Sequence, residues 1–375
     1  MNSFLSPTTP LNPRELIRDS SLPASEILRQ RLRLVRYSPH PDILNDLIEA
    51  MDAELPILIE GEPGTGKTLL ARSLAKTCNL TMFRVQCMAN IDRGKVLGRW
   101  EEQLQNQFVL QAAAAGETLE NARAAQWTFD YFSLGDALSA YFNPATSDGK
   151  PVPNLLLIDE VDKLEDEDED MFLQLLDEQG TNIPRLGFLG LPEGAAPPIV
   201  ILTSNNLRSG VSSPLRSRCL YTYVEPPTLV EEIVILKTQV PDAGDEILSQ
   251  TVKLIEQIRL DAAFIKQPPQ LRESVRFLKA LVRKRVSSLT PAVIQSHLSY
   301  LATNKSDRKQ LGDRGSIASN ATERLSDAAL MRDPKLDTEI GAAFEEYFRQ
   351  ESEYQSLLLE LEAAPSAVAS AAATF

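Results

Sequence analysis

The chain has 375 residues, of which 24% are charged and 43% hydrophobic, and its formal net charge is -14. This is a globular composition with length for two or more domains, and its acidic balance argues against a general nucleic-acid binder, whose footprint is basic. No apolar run is long enough to span a membrane, no basic-then-apolar leader opens the chain, and Cys78, Cys87 and Cys219 suit reduced thiols, so a cytoplasmic protein is expected.

Residues 1 to about 25 are rich in Pro, Ser and Thr and read as a flexible lead. Ser25 to Arg36, with Arg29, Arg31, Arg33 and Arg36, reads as a solvated amphipathic segment. Ile43, Leu44, Leu47 and Ile48 predict a helix over Pro41 to Met51. Ile57 to Glu60 is a strand, and Leu69 to Lys76 is helical. Between them Gly61, Glu62, Pro63, Gly64, Thr65, Gly66, Lys67 and Thr68 fit the phosphate-binding pattern G-x-x-x-x-G-K-[ST]. The glycines let successive N–H groups turn towards phosphate oxygens, and the helix start adds its dipole. Lys67 can reach the terminal phosphates and the Thr68 hydroxyl can ligate Mg²⁺.

Thr81 to Gln86 is a second strand. Trp100, Leu104, Phe108 and Leu110 predict a helix, Trp127 to Leu134 another, and 143–153 a loop. Leu155 to Ile158 reads as a buried parallel strand that ejects Asp159 and Glu160 at its C-terminal end, where ligands sit in open α/β sheets. Asp159 there would hold Mg²⁺ and Glu160 would polarise the attacking water. The acidic run Glu165 to Asp170 is a solvated helix start. Asn205 follows a strand over Ile199 to Thr203; if that strand neighbours the one ending in Asp159, its side chain can hydrogen-bond the attacking water or a γ-phosphate, the alternative being a turn-forming Asn-Asn pair. Arg216 and Arg218, before a strand over Tyr221 to Val224, could offset charge on a transferring phosphoryl group. Strands alternating with helices imply a parallel α/β sheet. After Pro227 the pattern is helical: Leu229 to Gln239, Glu246 to Leu260, Leu271 to Val286 and Pro291 to Ala302. Asn304 to Lys335 is polar, Leu336 to Leu361 fits one long helix, and the Ala/Ser-rich end is frayed. His40 and His297 lie too far apart in sequence to suggest a histidine site.

In this order the motifs resemble those of the AAA+ ATPases, over about residues 35 to 303, and within them the MoxR group, CoxD-type members especially. The strings are Phe83 to Cys87, Leu156 to Lys163, Asn182 to Gly187, Leu202 to Asn205 and Arg216 to Tyr221. The resemblance implies a P-loop NTPase (AAA+) fold, a parallel sheet flanked by helices and followed by an all-α lid domain. It assigns Gly61 to Thr68 to Walker A, Asp159 and Glu160 to Walker B, and Asn205 to sensor 1. Arg218 stands at the arginine-finger position, with Arg216 as the fallback. Arg272 is the sensor 2 candidate, in an altered Pro-Arg context. Thr181 to Pro198 resembles the clade's β-hairpin insertion before sensor 1.

The expected organisation is a flexible lead (1–35), an AAA+ nucleotide-binding domain (36–227), a helical lid (228–303), and a polar linker, long helix and disordered tail (304–375). The resemblance further implies ATP and Mg²⁺ as cofactors and a ring, commonly a hexamer. Its partners would be a protein client and, in some relatives, a von Willebrand factor A-domain adaptor. Two other readings compete. One is a nucleic-acid-linked AAA+ motor or clamp-loader-like ATPase using Arg276, Lys279, Arg283, Lys284 and Arg285, against which the acidic balance weighs. The other is a nucleotide-gated scaffold, against which the Asp159–Glu160 pair weighs.

Overall fold

The computed structural model describes residues 10–18, 23–147, 149–205, 210–260, 265–313 and 334–363. It divides into two compact units. The first comprises Met1–Val35, Pro39–Glu62 and Gly66–Val224, and the second Arg36–Ser38, Pro63–Thr65 and Glu225–Phe375, each as far as described.

The first unit is built on a five-stranded parallel sheet. Its strands are β1 (Ile57–Gly61), β2 (Met82–Gln86), β3 (Leu155–Asp159), β4 (Ile199–Ser204) and β5 (Leu220–Val224), in the spatial order β5-β1-β4-β3-β2. The apolar runs of β1, β3 and β4 fall on the three inner strands and are buried throughout, because a parallel sheet is covered on both faces. The edge strands carry polar side chains: only Val85 is buried in β2, and Tyr221 and Tyr223 of β5 are exposed. The chain leaves β1 for the far edge, returns through β3 and β4, and then crosses to the other side of β1. The strand order therefore reverses beside β1 and β4, and the crevice at their C-terminal ends is where such sheets bind ligands.

Several expectations change. The lead is not wholly flexible, since Pro13–Arg18 and Ala24–Leu34 are helices and the second buries Ile27, Leu28, Leu32 and Leu34. Arg14 donates to the Met51 and Pro197 carbonyls at 3.0 and 2.7 Å. Pro and Ser content near the start obscured that helical spacing; residues 1–9 and 19–22 lie outside the described residues. Trp127 to Leu134 is not a helix but a 3₁₀ turn (Phe129–Tyr131) leading into the strand Phe132–Leu134, paired with Gly98–Trp100. The 143–153 loop contains a small hairpin, Ala145–Ser147 with Lys150–Val152. The helix Asp166–Glu178 opens on the acidic run, yet Asp168 and Glu169 are buried and Arg93 pairs with Asp168 at 3.3 Å. After it, Gly180–Ile183 and Gly187–Gly190 form an antiparallel hairpin.

The second unit is helical: Leu229–Gln239, Asp245–Leu260, Leu271–Arg283, Pro291–Leu301, Lys305–Asp313 and Pro334–Ala363. Its core contains Leu254, Phe277, Leu281 and Leu298, and also Leu311, Ile340 and Ala343. A lid ending at 303 with a separate appendage is therefore replaced by one unit that draws on both later helices. The polar stretch was misread because its anchors are sparse: one leucine, and Asp307, which accepts from the Lys266 and Gln267 amides at 3.0 Å each. Residues 314–333 and the Ala/Ser tail, 364–375, lie outside the described residues. Among the described residues no helix is long and apolar enough to cross a membrane.

Truncating one of these late anchors tests the point. Ile340→Ala should cost about 2–5 kcal/mol, the range for emptying a buried aliphatic site. Urea denaturation would read this as a lowered midpoint, and an unchanged midpoint would place the long helix outside the core.

Candidate functional site

Gly64 and Gly66 adopt left-handed φ values of 92° and 95°, a curl open to residues without a Cβ, and the helix Lys67–Cys78 starts directly after them. The loop is anchored at Gly61, where a Cβ would stand 2.5 Å from the Val224 carbonyl oxygen of β5. Lys67 is buried, and its Nζ donates to the Gly61 and Glu62 carbonyls at 2.8 Å each.

The Thr68 hydroxyl donates to Asp159 Oδ1 at 3.0 Å, which brings the phosphate-binding loop and the end of β3 into direct contact. Asp159 is buried and has further donors: Thr203 Oγ1 to Oδ1 at 2.5 Å, and Arg84 to Oδ2 through Nη2 at 2.6 Å and Nε at 3.2 Å. Burial pushes this carboxyl up, but hydrogen bonds from Thr203, Arg84 and Thr68, together with the Arg84 charge, hold it below the ordinary carboxylate value. Among the described residues no group of three or more His, Cys, Asp and Glu side chains is placed to hold a metal ion. The available set is the Thr68 hydroxyl and the Asp159 carboxylate. Both are hard oxygen donors that suit Mg²⁺ once phosphate oxygens complete the shell.

Glu160 follows in the left-handed region, φ 62° and ψ 50°, a conformation that costs a non-glycine residue about 1–3 kcal/mol. Its amide donates to Thr203 Oγ1 at 3.0 Å. Its carboxylate accepts from Gln86 Nε2 at 2.6 Å, from Asn205 Nδ2 at 3.4 Å and from the Lys163 ammonium. The Asn205 amide is held by Asp162 Oδ1 at 3.1 Å. Burial and the nearby charges of Asp159, Asp162, Glu160 and Glu169 push the Cys87 thiol up, which disfavours its thiolate.

Lys67 and Thr68 at the helix start, Asp159 and Glu160 at the end of β3, and Asn205 just after β4 thus come together in the first unit. The two arginines stand apart, at the approach to β5. Arg216 pairs with buried Glu60, which also accepts from the Tyr221 hydroxyl at 3.0 Å. Arg218 lies at the surface in a two-point pair with Asp177, at 2.7 and 2.6 Å. Arg272 belongs to the second unit, exposed on the first turn of the helix Leu271–Arg283.

Sequence reasoning missed Arg84, Gln86, Lys163, Thr203 and Glu60. A partial signal existed: the two-residue spacing of Arg84 and Gln86 puts both on one face of β2, and Gln86 pairs in register with Asp159. Glu60 carried no signal, since an acid closing an apolar strand usually faces water.

Residues 57–226 match the family described as "ATPase family associated with various cellular activities (AAA)". No curated protein matches. Among solved structures, the chain is similar to the Thermotoga maritima RuvB Holliday junction branch migration motor, with 17% identity and a TM-score of 0.39, covering 84% of this chain and 88% of that one. Two substituted forms of Thermotoga maritima RuvB each give 16% identity and a TM-score of 0.38; coverage is 69% of both chains for one, and 84% and 88% for the other. Those proteins' functions do not transfer at that degree of likeness. The matched domain and the strand order give an AAA+ P-loop fold followed by a helical C-terminal region.

The two arginines differ in what they support. Arg216→Ala strands Glu60 and should cost about 2–4 kcal/mol, somewhat less than a fully buried pair because the guanidinium is one-third exposed. Adding Glu60→Gln should recover part of that loss, whereas Arg218→Ala should leave the denaturation midpoint unchanged. Equal midpoints for the two single variants would contradict this assignment.

Proposed function

We propose that this protein, which carries an AAA ATPase domain at residues 57–226, binds ATP with Mg²⁺ and hydrolyses it, coupling turnover in a ring of copies to remodelling or maturation of a protein client. The observation that carries the reading is the Thr68–Asp159 hydrogen bond, which ties the phosphate loop to the acidic end of β3. The Gly61–Thr68 loop binds the phosphates, with Lys67 offsetting their charge. Thr68 and Asp159 would hold Mg²⁺, which when bound neutralises charge on the terminal phosphates. Glu160 takes the proton of the attacking water, and Asn205, 3.4 Å from Glu160, orients that water.

Arg218 is the finger in this reading. Arg216 is committed to buried Glu60 within its own chain, whereas Arg218 is held by the surface acid Asp177 and by the Pro214 carbonyl at 2.8 Å, contacts that leave no buried charge behind if it turns towards a neighbouring copy's nucleotide. A finger supplied in trans needs a head-to-tail interface, and closure of that interface makes a ring, for which the family resemblance implies a hexamer. Arg272 is assigned to sensor 2. The MoxR-type reading, with a von Willebrand factor A-domain adaptor as a possible partner class, rests on the strings around Arg84, Asp159 and Arg218 and is supported by the hairpin after the helix Asp166–Glu178.

One observation favours the nucleic-acid-linked alternative. Arg272, Arg276, Lys279 and Arg283 recur at helical spacing along one helix and form a basic stripe in an acidic chain. A steep loss of DNA binding with salt would support it, and no binding at low salt would remove it.

Glu160→Gln should keep ATP affinity within about threefold while lowering turnover by about 10²-fold or more. Lys67→Ala should abolish binding, as measured by fluorescent-nucleotide anisotropy. Turnover equal to wild type in Glu160→Gln would overturn the role of the glutamate.

A further inference from the structure

Arg84 has no part in the scheme above, yet it makes the closest charged contact to the carboxylate on which that scheme turns. Asp159 Oδ1 is taken by two hydroxyls, Thr68 and Thr203, and Oδ2 is taken by the Arg84 fork at 2.6 and 3.2 Å. A cation needs a lone pair of this carboxylate, or of a water held there, and it meets a guanidinium already seated on the one oxygen with no hydroxyl partner. Two cations at that oxygen repel each other, and the buried setting weakens the screening that water would supply. The Arg84 side chain can yield: it comes from the edge strand β2 and is 37% exposed, so a turn into solvent leaves no buried charge. Its remaining partner is the Gln86 side chain on the same strand face, itself bound to Glu160.

We propose that Arg84 is a resident counter-cation of Asp159, which occupies Oδ2 and keeps the carboxylate aimed until a divalent cation arrives with nucleotide and displaces the guanidinium. Arg84 is then a positioning residue that makes metal binding conditional on nucleotide. A cation offered this carboxylate alone does not evict the guanidinium; one that also brings phosphate ligands does. This rests on the nucleotide reading above.

The test uses the full chain and Mn²⁺ alone, with free Mn²⁺ read by electron paramagnetic resonance in the absence of nucleotide. Arg84→Ala and Arg84→Gln should each bind Mn²⁺ roughly tenfold more tightly than wild type, the consequence of removing a like charge at contact distance. Arg84→Lys, which keeps the charge, should stay within about twofold of wild type. The glutamine variant retains length and an amide donor, so it reports even if the alanine variant fails to fold. Mn²⁺ affinity unchanged or weakened in the neutral variants, with nucleotide still bound in the presence of metal, overturns the proposal and leaves the nucleotide reading standing. Wild-type protein that binds no nucleotide with metal present sinks both.

Discussion

A buried carboxylate must be satisfied, and Asp159 is where the first unit meets that demand. Its donors come from separate parts of the chain: Thr68 from the start of the helix after the phosphate loop, Thr203 from β4, and Arg84 from β2. No pair of these residues is near in sequence, so the hydrogen-bond set exists only when the sheet is assembled in its observed order. The same set holds the carboxyl ionised against the pull of burial. Folding and charge placement are here one event, since losing the strand order would leave an acid in a dry site without partners.

Around this point the polar side chains are arranged in layers of decreasing commitment. Glu60 and Arg216 are bound into the fold of their own chain. Glu160 is held in a strained backbone conformation by Gln86, Lys163 and Asn205. Arg218 rests on a surface acid that competes poorly with a buried anion. That gradient matches the division of labour proposed for them: groups that hold the strand ends are fixed, and groups that act are held by contacts that can be exchanged.

Much of this was legible in the sequence, and the reason is periodicity. The inner strands are uninterrupted apolar runs, which a doubly covered sheet requires, and the acids or amides that close them fall at the ligand-binding ends by strand geometry alone. The glycine spacing of 61–68 likewise encodes a backbone shape directly. What stayed hidden depends on partners remote in sequence. Arg84 and Gln86 look like surface residues of an edge strand until β3 lies beside them, and Glu60 looks solvated until Arg216, from the short helix before β5, and Tyr221 of β5 reach it. The helix Ala24–Leu34 was obscured by composition, because Arg29, Arg31 and Arg33 masked the stripe of Ile27, Leu28, Leu32 and Leu34. The helix Pro334–Ala363 was visible as a helix, but nothing local indicates that Ile340 and Ala343 close a core begun a hundred residues earlier.

Both tryptophans of the chain lie in one aromatic cluster. Trp100 and Trp127 meet edge to face with ring centroids 4.9 Å apart, Phe132 stands 5.3 Å from Trp100, and the Arg185 guanidinium from the hairpin turn sits 4.3 Å above Trp127. Indole emission is quenched and shifted by a nearby cation, and two coupled indoles give a characteristic near-ultraviolet dichroism. The tryptophan emission of the whole protein therefore originates beside this hairpin, so a displacement of that element that moves Arg185 off Trp127 is recorded spectroscopically without a label.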